Sequence, residues 1–115
     1  MAIAVKRAYD EPKPGDGYRI LVDRIWPRGV SKENVKIDEW LKDIAPSSVL
    51  RRWFVHDPKK WGEFKKRYFH ELDGHKELTD AIRKRAKRGR VTLVYSARDE
   101  QYNNAVVLKE YLEGR

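Results

Sequence analysis

Cysteine is absent from the chain, and methionine occurs once, at the first position. The missing thiols exclude a disulfide framework, a thiolate nucleophile, a cysteine-based zinc site and an iron–sulfur cluster. No apolar run approaches the roughly 18 residues that a membrane span needs. The opening stretch is apolar only from Met1 to Val5, too short for the core of a signal peptide. A cytoplasmic address and no membrane contact are therefore expected. Repeats, low-complexity tracts and inter-domain linkers are also missing. Side-chain amides are scarce, being confined to Asn34, Gln101, Asn103 and Asn104. A charged fraction of 38% with so few thermolabile residues is the composition that high growth temperature favours.

What is present suits one small domain spanning residues 1–115. That length has no space for a cofactor domain beside a substrate domain. Hydrophobic residues make up 40%, enough for one compact core. Residues 2–9 alternate Ile3, Val5 and Tyr9 with Ala4, Lys6 and Ala8, the pattern of a half-buried strand. Proline and glycine mark 10–17 as a turn-rich loop. Residues 18–22 then read as a short strand covered on both faces, and the two strands can pair as a long-looped hairpin. Val35, Ile37, Trp40, Leu41 and Ile44 fit strand and helix periods alike, and a strand near 38–44, ended by Ala45-Pro46, is the reading adopted. Ser47 caps a short helix burying Leu50, Trp53 and Phe54.

Asp57-Pro58 is the clearest helix start, because Asp accepts orphan backbone N–H bonds and Pro loses nothing at the first helical position. Trp61, Phe64, Tyr68 and Leu72 form an inward stripe that stops at Gly74. A second helix follows, with Leu78, Ala81, Ile82 and Ala86 on one face and Gly89 at its end. Residues 91–95 are the best strand, and 103–112 form the last helix through Ala105, Leu108 and Leu112. Trp40, Trp53, Trp61 and Phe64 are expected to be substantially buried. Strands separated by helices predict an α/β domain of three layers, with about four strands in a partly parallel sheet and helices on both faces. Ligands of such sheets sit beyond the carboxyl ends of the strands. That rule directs attention to 23–29 and 96–104.

Both loops carry groups suited to anions. After the last strand, Ser96 offers a hydroxyl, Arg98 a fork of donors, and the following helix start free N–H groups. The structural alternative is that Ser96 or Asp99 caps the helix and Arg98 pairs with an acid. The other loop contributes Arg24 and Arg28, which can join Arg98 around one phosphate-type ligand. Alternatively Trp26 and Pro27 cover the core, and each arginine pairs with Asp23 or Asp38. Asp99 or His56 would supply any proton transfer, with nothing in the sequence selecting between them. No metal or cofactor is expected: His70 and His75 stand five apart across Gly74, whereas a zincin helix needs them four apart on one face.

The net charge is +8. Arg83, Lys84, Arg85, Lys87, Arg88 and Arg90 concentrate the basic character in one short segment. A nucleic-acid surface using Arg83, Lys84, Lys87 and Arg88 is the rival functional reading. A helix C-terminus stabilises cations there without any partner, and no aromatic residue is interleaved to stack on bases.

Several strings occur together: Val22-Asp23-Arg24-Ile25-Trp26-Pro27-Arg28-Gly29, Asp38-Glu39-Trp40-Leu41-Lys42-Asp43-Ile44-Ala45-Pro46-Ser47, Leu50-Arg51-Arg52-Trp53-Phe54, Leu93-Val94-Tyr95-Ser96-Ala97-Arg98-Asp99-Glu100 and Asn103-Asn104-Ala105-Val106-Val107-Leu108. In order and spacing they resemble the YeaO-like family, domain of unknown function 488, over nearly the whole chain. The resemblance implies a small cytoplasmic α/β protein of bacterial or archaeal type and no established activity. Wider relatives carry Cys and His-Arg in the loop after the last strand. This chain has Tyr95-Ser96-Ala97-Arg98 there, so thiol chemistry does not carry over. A methyltransferase label on uroporphyrin, attached to some relatives, sits poorly with this length and the lack of a glycine-rich cofactor loop.

Overall fold

Val91–Tyr95 is buried along its whole length, and the sheet is built around it. The computed structural model describes residues 2–114. Four strands, β1 (Ile3–Arg7), β2 (Tyr18–Leu21), β3 (Glu39–Trp40) and β4 (Val91–Tyr95), form one sheet in the order β1-β4-β2-β3. Every pairing is parallel. A strand that is apolar on both faces needs a neighbour on each side and cover above and below. β4 meets that need by lying between β1 and β2. The expected hairpin is therefore corrected: β1 and β2 are not partners, and the 8–17 connection carries the chain back so that both run alongside β4.

Four helices cover one face: α2 (Ser48–Phe54), α3 (Trp61–Asp73), α4 (Lys76–Arg88) and α5 (Asn104–Gly114). Phe54, Phe64, Tyr68, Leu72, Ile82 and Leu108 meet Ile20, Val22, Val91 and Leu93 of the sheet in the main core. The opposite face is covered by loops and the single turn α1 (Lys32–Val35), where Val35 packs with Ala8, Leu21 and Val94. This is the small three-layer α/β domain the pattern predicts. Among the described residues, no helix is long and apolar enough to cross a membrane.

Local chemistry sets the ends of these elements. Ser47 accepts the Leu50 N–H and caps α2, as expected. Asp57 accepts the Lys59 N–H at 3.0 Å and starts a short 3-10 turn at Pro58 that leads into α3. Asn103 accepts the Val106 N–H and caps α5. The expected strand near 38–44 is a correction, because only Glu39 and Trp40 pair with β2 before a 3-10 turn takes over at Lys42–Ile44. The Leu41 N–H still donates to the Leu21 carbonyl at the end of β2, and the Trp40 indole donates to the Asp23 carbonyl. The aromatic expectation is also corrected. Phe64 is buried, whereas Trp40, Trp53 and Trp61 are half-buried. Their indoles lie against cations or other rings at the margin of the core, Trp53 beneath Arg67 at 4.1 Å and Trp61 edge-on to Tyr102. Ala81 is exposed, and Thr79 takes the inward place beside Ile82.

A buried ionic cluster ties down the loop-covered face. Arg19 of β2, only 3% exposed, donates through Nε and Nη2 to the Val35 carbonyl and through Nη1 to Asp16 at 2.6 Å. Asp16 also accepts from Lys6 and from the Lys13 N–H. Burial alone would raise the Asp16 carboxyl, but the Lys13 N–H and the Lys6 and Arg19 cations outweigh it and hold the group below the usual carboxylate range. The Thr92 hydroxyl donates to the Asp16 carbonyl, and Gly17, at φ +67°, lies directly against the Arg90 carbonyl. The 8–17 connection is thereby pinned to the start of β4.

Candidate functional site

At the carboxyl edge of the sheet, the segments leaving β1, β2 and β4 converge on one cleft of about 560 Å³. Tyr9 comes from the first segment, residues 23–28 from the second, and Ser96 and Ala97 from the third. The end of α2 and the start of α5 close it. This is the place the parallel-sheet rule indicates.

Asp23 is the fixed point of the floor. Its carboxylate accepts the Ser96 N–H at 2.9 Å, the Ser96 hydroxyl at 2.7 Å and the Asn104 amide at 3.1 Å. The same amide donates to the Val22 carbonyl. One side chain thus joins the ends of β2 and β4 to the start of α5. Ser96 lies in the cleft with Arg24 and Arg28, but its hydroxyl proton is engaged by Asp23. Beneath them Tyr68 donates to the Ile44 carbonyl at 2.7 Å. Burial, reinforced by the Asp23 and Glu71 charges, pushes the Tyr68 hydroxyl well above its ordinary pKa, so it stays protonated.

The basic side chains stand around this floor. Arg24 donates through Nη2 to the Ala45 carbonyl at 3.2 Å, while its buried Nε has no hydrogen-bond partner among the described residues. Arg28 is exposed and is held by its backbone, since the Tyr9 hydroxyl donates to the Arg28 carbonyl and Gly29 takes the left-handed turn beyond it. The alternative in which Asp23 or Asp38 pairs with these arginines is not what is found: Asp23 faces Ser96 and Asn104, and Asp38 accepts the Arg19 N–H. Arg51, Arg52 and His56 also line the cleft. Glu71 orients them indirectly by accepting both the N–H and the hydroxyl of Ser47, which fixes the start of α2. None of Arg24, Arg28, Arg51 and Arg52 forms an ion pair among the described residues. Among the described lining residues, Asp23 alone carries a carboxylate.

Arg51 and Arg52 were not legible as site residues, since the helical pattern there reads only the core positions Leu50, Trp53 and Phe54. Their signal is an arginine pair in the last turn of a short capped helix. Beyond them the backbone is unusual. Val55 and His56 both have positive φ, +42° and +54°, a conformation that costs a β-branched residue about 1–3 kcal/mol. It turns the chain sharply out of α2 and leaves Val55 exposed on the rim.

The remaining predicted residues lie apart. Arg98 is exposed and does not line the cleft, although Ala97 beside it does. Asp99 accepts the Gln101 and Tyr102 N–H groups. Those bonds, Tyr102 first, together with the nearby His56, hold its carboxyl below the usual range. It is a turn-forming carboxylate with no proton to give near neutral pH. On α4, Arg83 is engaged with the end of α5, donating to the Leu112 and Tyr111 carbonyls. Arg85 lies over the Tyr18 ring at 3.8 Å. Lys84, Lys87 and Arg88 are exposed. No residue of α4 lines the cleft. The described residues contain no group of three or more His, Asp or Glu arranged to hold a metal ion.

Comparison with known proteins gives a consistent family. The sequence matches the profile described as the inactive DUF488-N3 subclade over residues 2–115. It is 42% identical to the uncharacterized protein YeaO of Escherichia coli (strain K12) over 112 residues, covering 97% of both chains. It is likewise 42% identical to the uncharacterized protein Rv3073c of Mycobacterium tuberculosis (strain ATCC 25618 / H37Rv), covering 98% of this chain and 95% of the relative. No solved structure gives a significant match.

Proposed function

The chain belongs to the inactive DUF488-N3 subclade, and from that premise we propose that it is a binding protein for a small anionic ligand of phosphate type. The observation that carries this reading is one of charge. Four arginines and a histidine line a single cleft, and its one carboxylate is engaged by Ser96 and Asn104. Guanidinium groups match phosphate and carboxylate oxygens in pairs, and Asp23, the one carboxylate of the cleft among the described residues, bonds Ser96 and Asn104 and forms no ion pair with the arginines. Arg24 and Arg28 recognise charge as the sequence reading has it, joined by Arg51 and Arg52 in place of Arg98. Ser96 keeps Asp23 in position. Binding without turnover is supported by the subclade's description and by the engagement of the Ser96 hydroxyl and the Asp99 carboxylate.

The test is a thermal-shift titration with inorganic phosphate and pyrophosphate against chloride at matched ionic strength. A ligand that binds only the folded chain stabilises it by RT ln(1 + [L]/Kd), about 2.7 kcal/mol at a hundred times Kd. The transition should rise with phosphate, and the Arg28→Gln/Arg51→Gln variant should lose the rise while keeping its unliganded transition. Equal responses to phosphate and chloride, or an undiminished response in that variant, would overturn the reading.

A further inference from the structure

We infer that the anion taken by this cleft is a nucleoside phosphate, a phosphate carried on a sugar with a flat base that stacks, an inference that rests on the anion reading above. A bare phosphate does not need the space. The cleft, about 560 Å³, falls within the roughly 300–1,000 Å³ of pockets that enclose whole small molecules. Its walls are also wrong for a bare ion. Among the described residues, the exposed large hydrophobic side chains are Tyr9, Ile25, Val49 and Val55, at 47%, 62%, 69% and 63%. Three of these four, Tyr9, Ile25 and Val55, line this one cleft. On a surface this rich in charge, such a cluster marks a contact site rather than scattered exposure.

The distribution of polarity then selects the class. Phe54 and Phe64 extend the apolar wall inward from Val55, while the arginines supply the charge. Guanidinium planes both pair with phosphate and stack on aromatic faces, and the rim adds the rings of Tyr9 and His56. A nucleoside monophosphate is a compact ligand that uses all three properties at once. The left-handed Val55 fits the same picture. The turn is strained, yet it sets an apolar side chain out on the rim that core packing does not require.

The experiment is isothermal titration of the full chain with the four common nucleoside monophosphates, inorganic phosphate and adenosine. A short single-stranded oligonucleotide serves as a further arm. At least one monophosphate should bind about tenfold or more tighter than both phosphate and adenosine, a difference of about 1.4 kcal/mol. Tighter binding of the oligonucleotide would place the nucleoside phosphate in a strand, and equal or weaker binding would place it in the free pool. Both support the chemistry. Val55→Gly removes the rim side chain and relieves the positive φ, so its unliganded transition should stay level or rise. Its affinity for the monophosphate should fall several-fold, with its affinity for phosphate unchanged. If phosphate binds as tightly as every monophosphate, the nucleoside inference fails while the anion reading stands. If adenosine binds as tightly as the monophosphates, or nothing binds, both fail.

Discussion

Replacing Asp16 with Ala should cost about 3–5 kcal/mol at neutral pH, the range expected when one partner of a buried ion pair is removed. The magnitude follows from what the carboxylate leaves behind. Arg19 is 96% shielded at its side chain, and its Nη1 lies 2.6 Å from Asp16. Without Asp16 the guanidinium keeps only the Val35 carbonyl as acceptor, and Lys6, 19% exposed, loses the same partner. The effect should also fade in acid. The folded state holds the Asp16 carboxyl below its ordinary range, whereas the unfolded chain has it near 3.9. The unfolded state therefore binds more protons between those two values, and stability rises with pH there. The contribution is complete above the unfolded value and is lost as pH falls through the folded one. Urea titrations of wild type and Asp16→Ala, followed by tryptophan fluorescence near neutrality and in acid, read both quantities. The exposed Lys13–Glu11 pair, at 3.7 Å, supplies the control: Glu11→Gln should change stability by less than about 1 kcal/mol. A loss below about 1 kcal/mol for Asp16→Ala at neutral pH, or one undiminished in acid, would refute the argument.

Gly17→Ala should destabilise by about 2 kcal/mol or more, because a Cβ at φ +67° would meet the Arg90 carbonyl oxygen; its denaturation midpoint measures this. On α4, Arg83→Gln should cost about 1.5–3 kcal/mol through the lost bonds to the Leu112 and Tyr111 carbonyls. The combined Lys84→Gln, Lys87→Gln, Arg88→Gln variant should stay within about 0.5 kcal/mol of wild type in the same titration. Phe64→Ala should cost about 3–5 kcal/mol as a full core truncation. Trp61→Ala, from a half-buried position, should cost measurably less, and equal losses in urea would contradict that ranking.

How much of this was legible depends on how local each signal is. β4 announces itself through five consecutive residues suited to burial on both faces, and α3 through a stripe whose members Phe64, Tyr68 and Leu72 are buried as read. The site loops 23–29 and 96–104 could be found because the parallel-sheet rule needs only strand ends. Pairing was less legible. β1 and β2 are adjacent in sequence, and nothing in either reveals that a strand from the far end of the chain separates them. β3 escaped its boundaries because Trp40 is held by a long-range indole bond to Asp23, a contact that no period encodes. Arg51 and Arg52 escaped because a helical wheel sorts residues by burial, and both stand on the exposed side of α2. Arg98 shows the converse error: it sits one residue beyond the turn at Ala97 that faces the cleft.

The strand order has a consequence for how the chain becomes a sheet. Before 91–95 are in place, β1 and β2 belong two strand spacings apart, about 9.5 Å, with no ladder between them. β1 then has no partner, and β2 has only the two-residue β3. Every backbone bond that joins the two ends of the sequence waits on one segment, and that segment is the most apolar strand of all. A ribosome emitting this chain therefore releases two unpaired strand edges long before their common neighbour arrives. Closure of the sheet is non-local and parallel, the class of pairing associated with slow folding, and both β1 and β2 wait on this one strand for their shared ladder.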